Sequence, residues 1–368
     1  MTMTNQITAK TVAIIGSGEV GVNIFNALIA KSHPRDAIMH FDSDPSKIDQ
    51  IIAGRKVHHT ERLTETCPDL VILGYSANHG DYESHKQLLG QTVNGSVLSA
   101  IELFQILPEM RVWPMLSPTA ANKKTNVVKQ IIEKLGDTKS KSQYRRYFSW
   151  ICNPHNSKPP EGETSNQYFD NELIKLTKEE VFVDCGAFIG DTLDAFLLKT
   201  NNTFKEYYAF EPDKENFIQL IRNLGQKTKN IKQKVMPFNG AISNHDQYLE
   251  FLDNANQMSQ QTAQTGNWVK AYSLGTFDFK SDPTFIKLDL EGQETTALRG
   301  FSEKILKWRP KLCVAIYHNP SDFIDIPINL MSTLENYTFH VRAHNKFGLD
   351  FVLYCCPKET KKSGASMQ

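Results

Sequence analysis

Val181-Phe-Val-Asp-Cys-Gly-Ala-Phe-Ile-Gly-Asp-Thr192 decides the fold. Val181–Asp184 is a short apolar run, rich in β-branched and aromatic residues, that closes on an acid. Gly186 makes the turn, and Gly190 opens a helix-like segment. A second apolar run, Tyr207-Tyr-Ala-Phe-Glu211, then closes on a carboxylate, and Pro212 stops it. Strand, glycine turn, helix, strand and acid, in that order, open a doubly wound α/β domain.

The same opening occurs earlier. Thr11-Val-Ala-Ile-Ile15 leads into Gly16-Ser-Gly-Glu-Val-Gly21, then a helical stretch, then Ala37-Ile-Met-His-Phe-Asp42. The expected fold is therefore α/β, with two tandem doubly wound domains. The expected boundaries are 9–115 for the first domain and 116–167 for a helical connection and linker. The second domain is expected at 168–358 and a disordered tail at 359–368. Val127–Leu135 has helical apolar spacing, and residues 153–166 are dense in Pro, Ser, Asn and Gly.

Composition narrows the function classes. Lys+Arg and Asp+Glu are both 41, so no cationic excess exists to displace counterions from a nucleic acid. No apolar run is long enough to span a bilayer. The polar start lacks the apolar stretch of a secretory signal. Six scattered cysteines, with no C-x-x-C pair, suit a reducing compartment better than a disulfide framework or a zinc site. A cytoplasmic enzyme acting on a small molecule is the expectation; the oligomeric state is not readable.

The two turns differ in the ligand they suit. Gly16, Gly18 and Gly21 fit G-x-G-x-x-G between a strand and a helix, which cradles a pyrophosphate. Asp42 lies 21 residues beyond Gly21, where an acid grips a ribose hydroxyl. A nucleotide or dinucleotide is the ligand that turn would take, and a scaffold that binds nothing is the alternative. Asp184, Gly186 and Gly190 form D-x-G-x-x-x-G, which suits a ligand without a pyrophosphate, such as S-adenosylmethionine. Asp184 is placed to hold its ammonium, directly or through water. Glu211, 21 residues beyond Gly190, is placed to accept from both ribose hydroxyls.

Pro283-Thr-Phe-Ile-Lys-Leu-Asp-Leu-Glu-Gly292 is a further strand, ending in two acids, and Glu294 opens the helix after it. Asp289 and Glu291, two apart, share a face of an extended segment. Ligands of open parallel sheets sit at the carboxyl ends of strands, so either acid could be a general base or could bind a divalent cation. No metal ligand set is assigned, and a structural charge partner at the helix N-terminus is the bland alternative.

These segments, with Asn239-Gly-Ala-Ile-Ser243, Leu298-Arg-Gly300, Ala315-Ile-Tyr-His-Asn-Pro320, Asp322-Phe323 and Ile326-Pro327, resemble the FkbM-type family of S-adenosylmethionine-dependent methyltransferases. The resemblance covers about residues 168–356. It implies a class I (Rossmann-like) methyltransferase fold, S-adenosylmethionine as cofactor, and O-methylation of a saccharide or related hydroxyl. It implies cofactor contacts at Asp184, Gly186, Gly190 and Glu211. It places Asp289, Glu291 and Glu294 near the transferred methyl, and His318, after Tyr317, as a second base candidate. One departure is Gly275, which stands where the family carries an Asp. Two rival functions remain: an NAD-dependent oxidoreductase or nucleotide-sugar-binding protein using the first domain, and a non-catalytic binding protein that keeps the fold.

Overall fold

The computed structural model describes residues 11–74, 82–107, 110, 115–153, 157–158, 160–163, 166–250, 268–345 and 350–358. The chain divides into two compact units, residues 1–124 with 148–159 and residues 125–147 with 160–368. The expected disordered tail lies outside the described residues.

The first unit runs β1 (Val12–Ile15), α1 (Glu19–Ala30), β2 (Ile38–Asp42), β3 (Ile51–Ile52), β4 (Arg55–His59), α2 (Leu63–Thr66), β5 (Leu70–Leu73), α3 (Tyr82–Thr92), β6 (Ser96–Ser99) and α4 (Ala100–Ile106). Its sheet order is β3-β4-β2-β1-β5-β6, parallel apart from the β3–β4 pair. β1 is buried on both faces, which is why it reads as a continuous apolar run. α1 buries Ile24, Phe25, Ala27 and Leu28. Gly21 is required for α1 to pack on the turn, because a Cβ there would lie 2.0 Å from the Gly16 carbonyl oxygen.

α5 (Pro118–Lys134) and α6 (Thr138–Cys152) follow, and residues 125–147 of them belong to the second unit. Tyr144 stacks on Phe323 at 4.1 Å between centroids and donates its hydroxyl to the Phe323 carbonyl at 2.7 Å.

The second unit continues with β7 (Val181–Cys185), α7 (Asp191–Lys199), β8 (Glu206–Glu211), α8 (Lys214–Gly225), α9 (Lys229–Lys232), β9 (Val235–Asn239), β10 (Ala241–Ile242), β11 (Gln247–Glu250) and β12 (Trp268–Tyr272). It ends with β13 (Phe285–Leu288), α10 (Glu294–Gly300), α11 (Ser302–Trp308), β14 (Lys311–Ala315), α12 (Asp322–Thr333), β15 (Tyr337–Ala343) and β16 (Phe351–Pro357). The main sheet has the order β15-β16-β14-β13-β7-β8-β9, with β16 antiparallel to both neighbours. β10, β12 and β11 form a small separate sheet.

Chain order therefore reverses at β7, with β8 on one side and β13 on the other. Such a switch point opens a crevice at the carboxyl ends of the strands. Phe182 on β7 and Phe285 on β13 stack at 4.4 Å beneath it. Phe169, Phe196 and Tyr207 extend that apolar core. An aromatic pair of this kind adds roughly 0.5–1.5 kcal/mol beyond its buried area. Among the described residues, no helix is long and apolar enough to cross a membrane.

Candidate active site

The second glycine turn is shaped by its backbone. Gly186 has φ +87° and Gly190 φ +92°, both in the left-handed region that glycine reaches without penalty. A Cβ on Gly186 would lie 2.0 Å from the carbonyl oxygen of Asp289. The cofactor-type turn after β7 and the acid turn after β13 are thus in direct backbone contact. Phe188 also has a positive φ, of 47°, and its N–H donates to Glu211 Oε2 at 2.8 Å. The N–H of Asp213 donates to Oε1 at 2.9 Å. Glu211 is nearly buried at the end of β8, and burial pushes its carboxyl up to about 7 against those two donors.

Asp184 occupies a different position from the rest of the turn. It is fully buried, and both its oxygens are engaged. Oδ1 pairs with Lys287 Nζ at 2.9 Å, and Oδ2 accepts from the Tyr207 hydroxyl at 2.5 Å.

The acid turn runs Asp289-Leu-Glu-Gly-Gln-Glu294. Glu291 and Gly292 have φ of +50° and +95°, so the chain reverses tightly and carries a non-glycine residue in a costly conformation. Fully buried Glu294 holds the turn from below. Its Oε1 accepts from the Leu290 N–H at 2.7 Å and from His318 Nδ1 at 2.8 Å. His318 lies just past β14, and its Nε2 sits 3.4 Å from Asp289 Oδ1 and 3.4 Å from Glu291 Oε2. One imidazole therefore faces three carboxylates. Burial opposes its charge, but Glu294 foremost, then Asp289 and Glu291, outweigh burial and lift it to about 10.

The three acids differ in availability. Asp289 Oδ2 accepts from the Tyr168 hydroxyl at 2.5 Å, and its Oδ1 faces His318. Glu294 is sealed beneath the turn. Glu291 is the most open, with 39% of its side chain exposed. Burial raises its carboxyl to about 7, partly offset by His318 and reinforced by Asp289 and Glu294.

Asp289, Glu294 and His318 offer ligand atoms within 4.8 Å of one another, which makes them the metal candidate. Glu294 bonds Nδ1, whereas Asp289 faces Nε2. As placed, the ring bridges the two carboxylates through its two nitrogens.

Residues 184–342 match the family model described as the methyltransferase FkbM domain. That stretch of the second unit is an FkbM methyltransferase domain. The chain is also similar in fold to a solved structure, the methyltransferase FkbM from Methylobacillus flagellatus KT. The likeness has a TM-score of 0.70 at 20% identity and covers 96% of this chain and 92% of that one. Two further solved structures are more distant. One, from Streptococcus pneumoniae, has 12% identity over 51% of this chain and 68% of that chain, with a TM-score of 0.29. The other, the methyltransferase domain of bacterial CtHen1-C, has 10% identity over 49% and 91%, with a TM-score of 0.31. No curated protein matches. The FkbM domain makes the chain an S-adenosylmethionine-dependent methyltransferase.

The structure groups the residues singled out in sequence into three sets, with Asp184 apart from them. Gly186, Gly190 and Glu211 line the cofactor-type turn. Asp289, Glu291, Glu294 and His318 cluster beside it, and Asp184 lies beneath. Gly16, Gly18, Gly21 and Asp42 belong to the first unit. There, Asp42 Oδ2 accepts from both the N–H of Ser17 at 2.8 Å and its hydroxyl at 2.5 Å. Tyr168, Tyr207 and Lys287 escaped the sequence reading as site residues. Lys287 stood inside the acidic motif, but nothing in one sequence pairs it with Asp184.

Gly275 has a local explanation. A Cβ there would lie 2.3 Å from the Gly300 carbonyl oxygen, so an Asp does not fit this backbone without a shift. At the same turn Asp246 accepts from the Ser273 N–H and the Thr276 hydroxyl.

Proposed function

We propose that the FkbM domain O-methylates a hydroxyl of a saccharide or a related polyhydroxylated small molecule. The observation that carries this reading is the contact of Gly186 with Asp289, which sets the cofactor turn against the acid turn. S-adenosylmethionine supplies an activated methyl on a sulfonium. The backbone at Gly186 and Gly190 receives its amino-acid portion, and Glu211 receives its ribose. Glu291 takes the acceptor's proton, because it is the carboxylate open to an incoming group and its raised pKa suits a base near neutrality. His318 and Glu294 orient that carboxylate, and Asp289 completes the charge around the imidazolium. Holding acceptor oxygen, methyl and sulfur in line supplies roughly 7–11 kcal/mol of the rate enhancement, through proximity alone.

The saccharide reading draws support from a cavity of about 480 Å³ between α10 and α12, lined by Thr295, Arg299, Ser321, Asp322, Asp325 and Asn329 around one apolar residue, Ile328. Asn319 bridges this wall to the acid turn, donating to both Asp322 Oδ2 and the Gly292 carbonyl. A polar lining of acids, amide and guanidinium suits a polyol. Cys185, Cys313 and Cys355 are buried free thiols within the sheet, which supports a reducing, cytoplasmic setting.

The test is methyl transfer from labelled S-adenosylmethionine into a pooled cell-envelope glycan extract. The wild type should label a carbohydrate fraction by 14-dalton increments, and Glu291→Gln should lose about 10²–10⁴-fold in rate. Label confined to non-carbohydrate material removes the saccharide assignment. An unchanged Glu291→Gln rate removes the base.

A further inference from the structure

Lys287 is a lysine sealed inside the protein, with 3% of its side chain exposed. It stands on β13 in direct register with Asp184 on β7. Its ammonium donates to Asp184 Oδ1 at 2.9 Å and to the carbonyl oxygen of Gly186 at 2.6 Å. The Tyr168 ring lies 5.0 Å from the same ammonium, and the Tyr168 hydroxyl fixes Asp289. Tyr168 has φ +63°, a conformation that a bulky residue keeps only under strong constraint. A single buried cation thus touches the cofactor turn on one side and the ring that anchors the acid turn on the other.

Stability does not account for this cation. The desolvation cost of a buried ion pair roughly cancels its attraction, and apolar side chains of similar volume commonly replace such pairs without loss. What an apolar pair cannot supply is a donor to the Gly186 carbonyl.

We propose that Lys287 is a positioning residue for the cofactor turn, acting through the Gly186 carbonyl, and that Asp184 serves as its counter-ion rather than as a contact to the cofactor. This rests on S-adenosylmethionine binding at that turn.

The experiment combines urea unfolding with calorimetric titration of S-adenosylmethionine into the full chain. The Lys287→Met/Asp184→Leu double variant should unfold cooperatively, near the wild-type midpoint, yet bind the cofactor at least tenfold more weakly. A double variant that folds and binds with the wild-type Kd overturns the proposal. If the double variant does not fold, Lys287→Met is compared with Tyr207→Phe, which strips Asp184 of its other donor and leaves the Gly186 contact intact. Loss in Lys287→Met with binding kept within twofold in Tyr207→Phe supports the proposal; equal losses overturn it. A wild type that binds no S-adenosylmethionine contradicts the placement of the cofactor rather than the role of Lys287.

Discussion

The two units open with the same strand, glycine turn, helix and acid, and use them differently. In the first unit the strand-end acid folds back on its own turn. Asp42 takes two donors from Ser17 and one from the Asp44 N–H, and these, with Lys47, overcome burial and hold its carboxyl down at about 2. At the end of β6, Ser99 and Glu102 consume each other in a capping box. In the second unit the corresponding strand ends converge. β7, β13 and β14 bring a turn, an acid cluster and a histidine together, and leave Glu291 open. A glycine turn supplies a shape that can hold a ligand; chemistry requires polar groups whose demands the fold leaves partly unmet.

Several changes would break or sharpen that contrast. The largest effect is expected at Glu294. Glu294→Ala removes the buried anion beneath the acid turn and strips the Leu290 N–H and His318 Nδ1 of their acceptor, so unfolding free energy should fall by about 3–5 kcal/mol in urea titrations. A loss under about 1 kcal/mol would mean that the buried cluster is not what organises the turn.

Gly186→Ala comes next. It forces a Cβ against the Asp289 carbonyl at a left-handed position, and should cost about 2–4 kcal/mol and all measurable cofactor binding.

The histidine gives a pH signature. Its folded pKa, about 10, lies above its ordinary 6.5. The stability it contributes is therefore fully present below about 6.5 and is lost as pH rises through about 10. Urea midpoints taken between those limits should fall more steeply for wild type than for His318→Gln. Parallel curves would show that the imidazole carries no extra proton.

The smallest effect belongs to the first unit. Gly18 has an ordinary φ, and a Cβ there meets nothing within 4 Å. Gly18→Ala should change stability by less than about 0.5 kcal/mol and leave S-adenosylmethionine binding unchanged. Nicotinamide dinucleotide binding that disappears in this variant would show that the first turn is also a working site.

Much of this was legible in one sequence. Gly186 and Gly190 stood out because they turn the chain out of an apolar strand and into a helix. Glu211 stood out as a strand-end acid 21 residues beyond Gly190, Asp289 and Glu291 because their spacing would share a face of an extended segment, and Glu294 because it opens the helix after them. Longer-range facts were not legible. Tyr168 meets Asp289 across 121 residues, and Lys287 meets Asp184 across 103, through strand neighbours that only the folded order sets. At Asp184 the motif suggests a ligand contact, and the fold adds a lysine and a tyrosine that no single sequence pairs with it. At Gly275 the family pattern suggested a missing acid, and the close approach of the Gly300 carbonyl shows why a side chain does not fit there without a shift.

The most direct measurement is a calorimetric titration of S-adenosylmethionine into wild type and Glu211→Ala, with Asp42→Ala as the matched change in the first unit. The account predicts one cofactor bound per chain in the wild type and in Asp42→Ala, and binding weakened at least tenfold in Glu211→Ala. Binding that survives in Glu211→Ala and is lost in Asp42→Ala would contradict it.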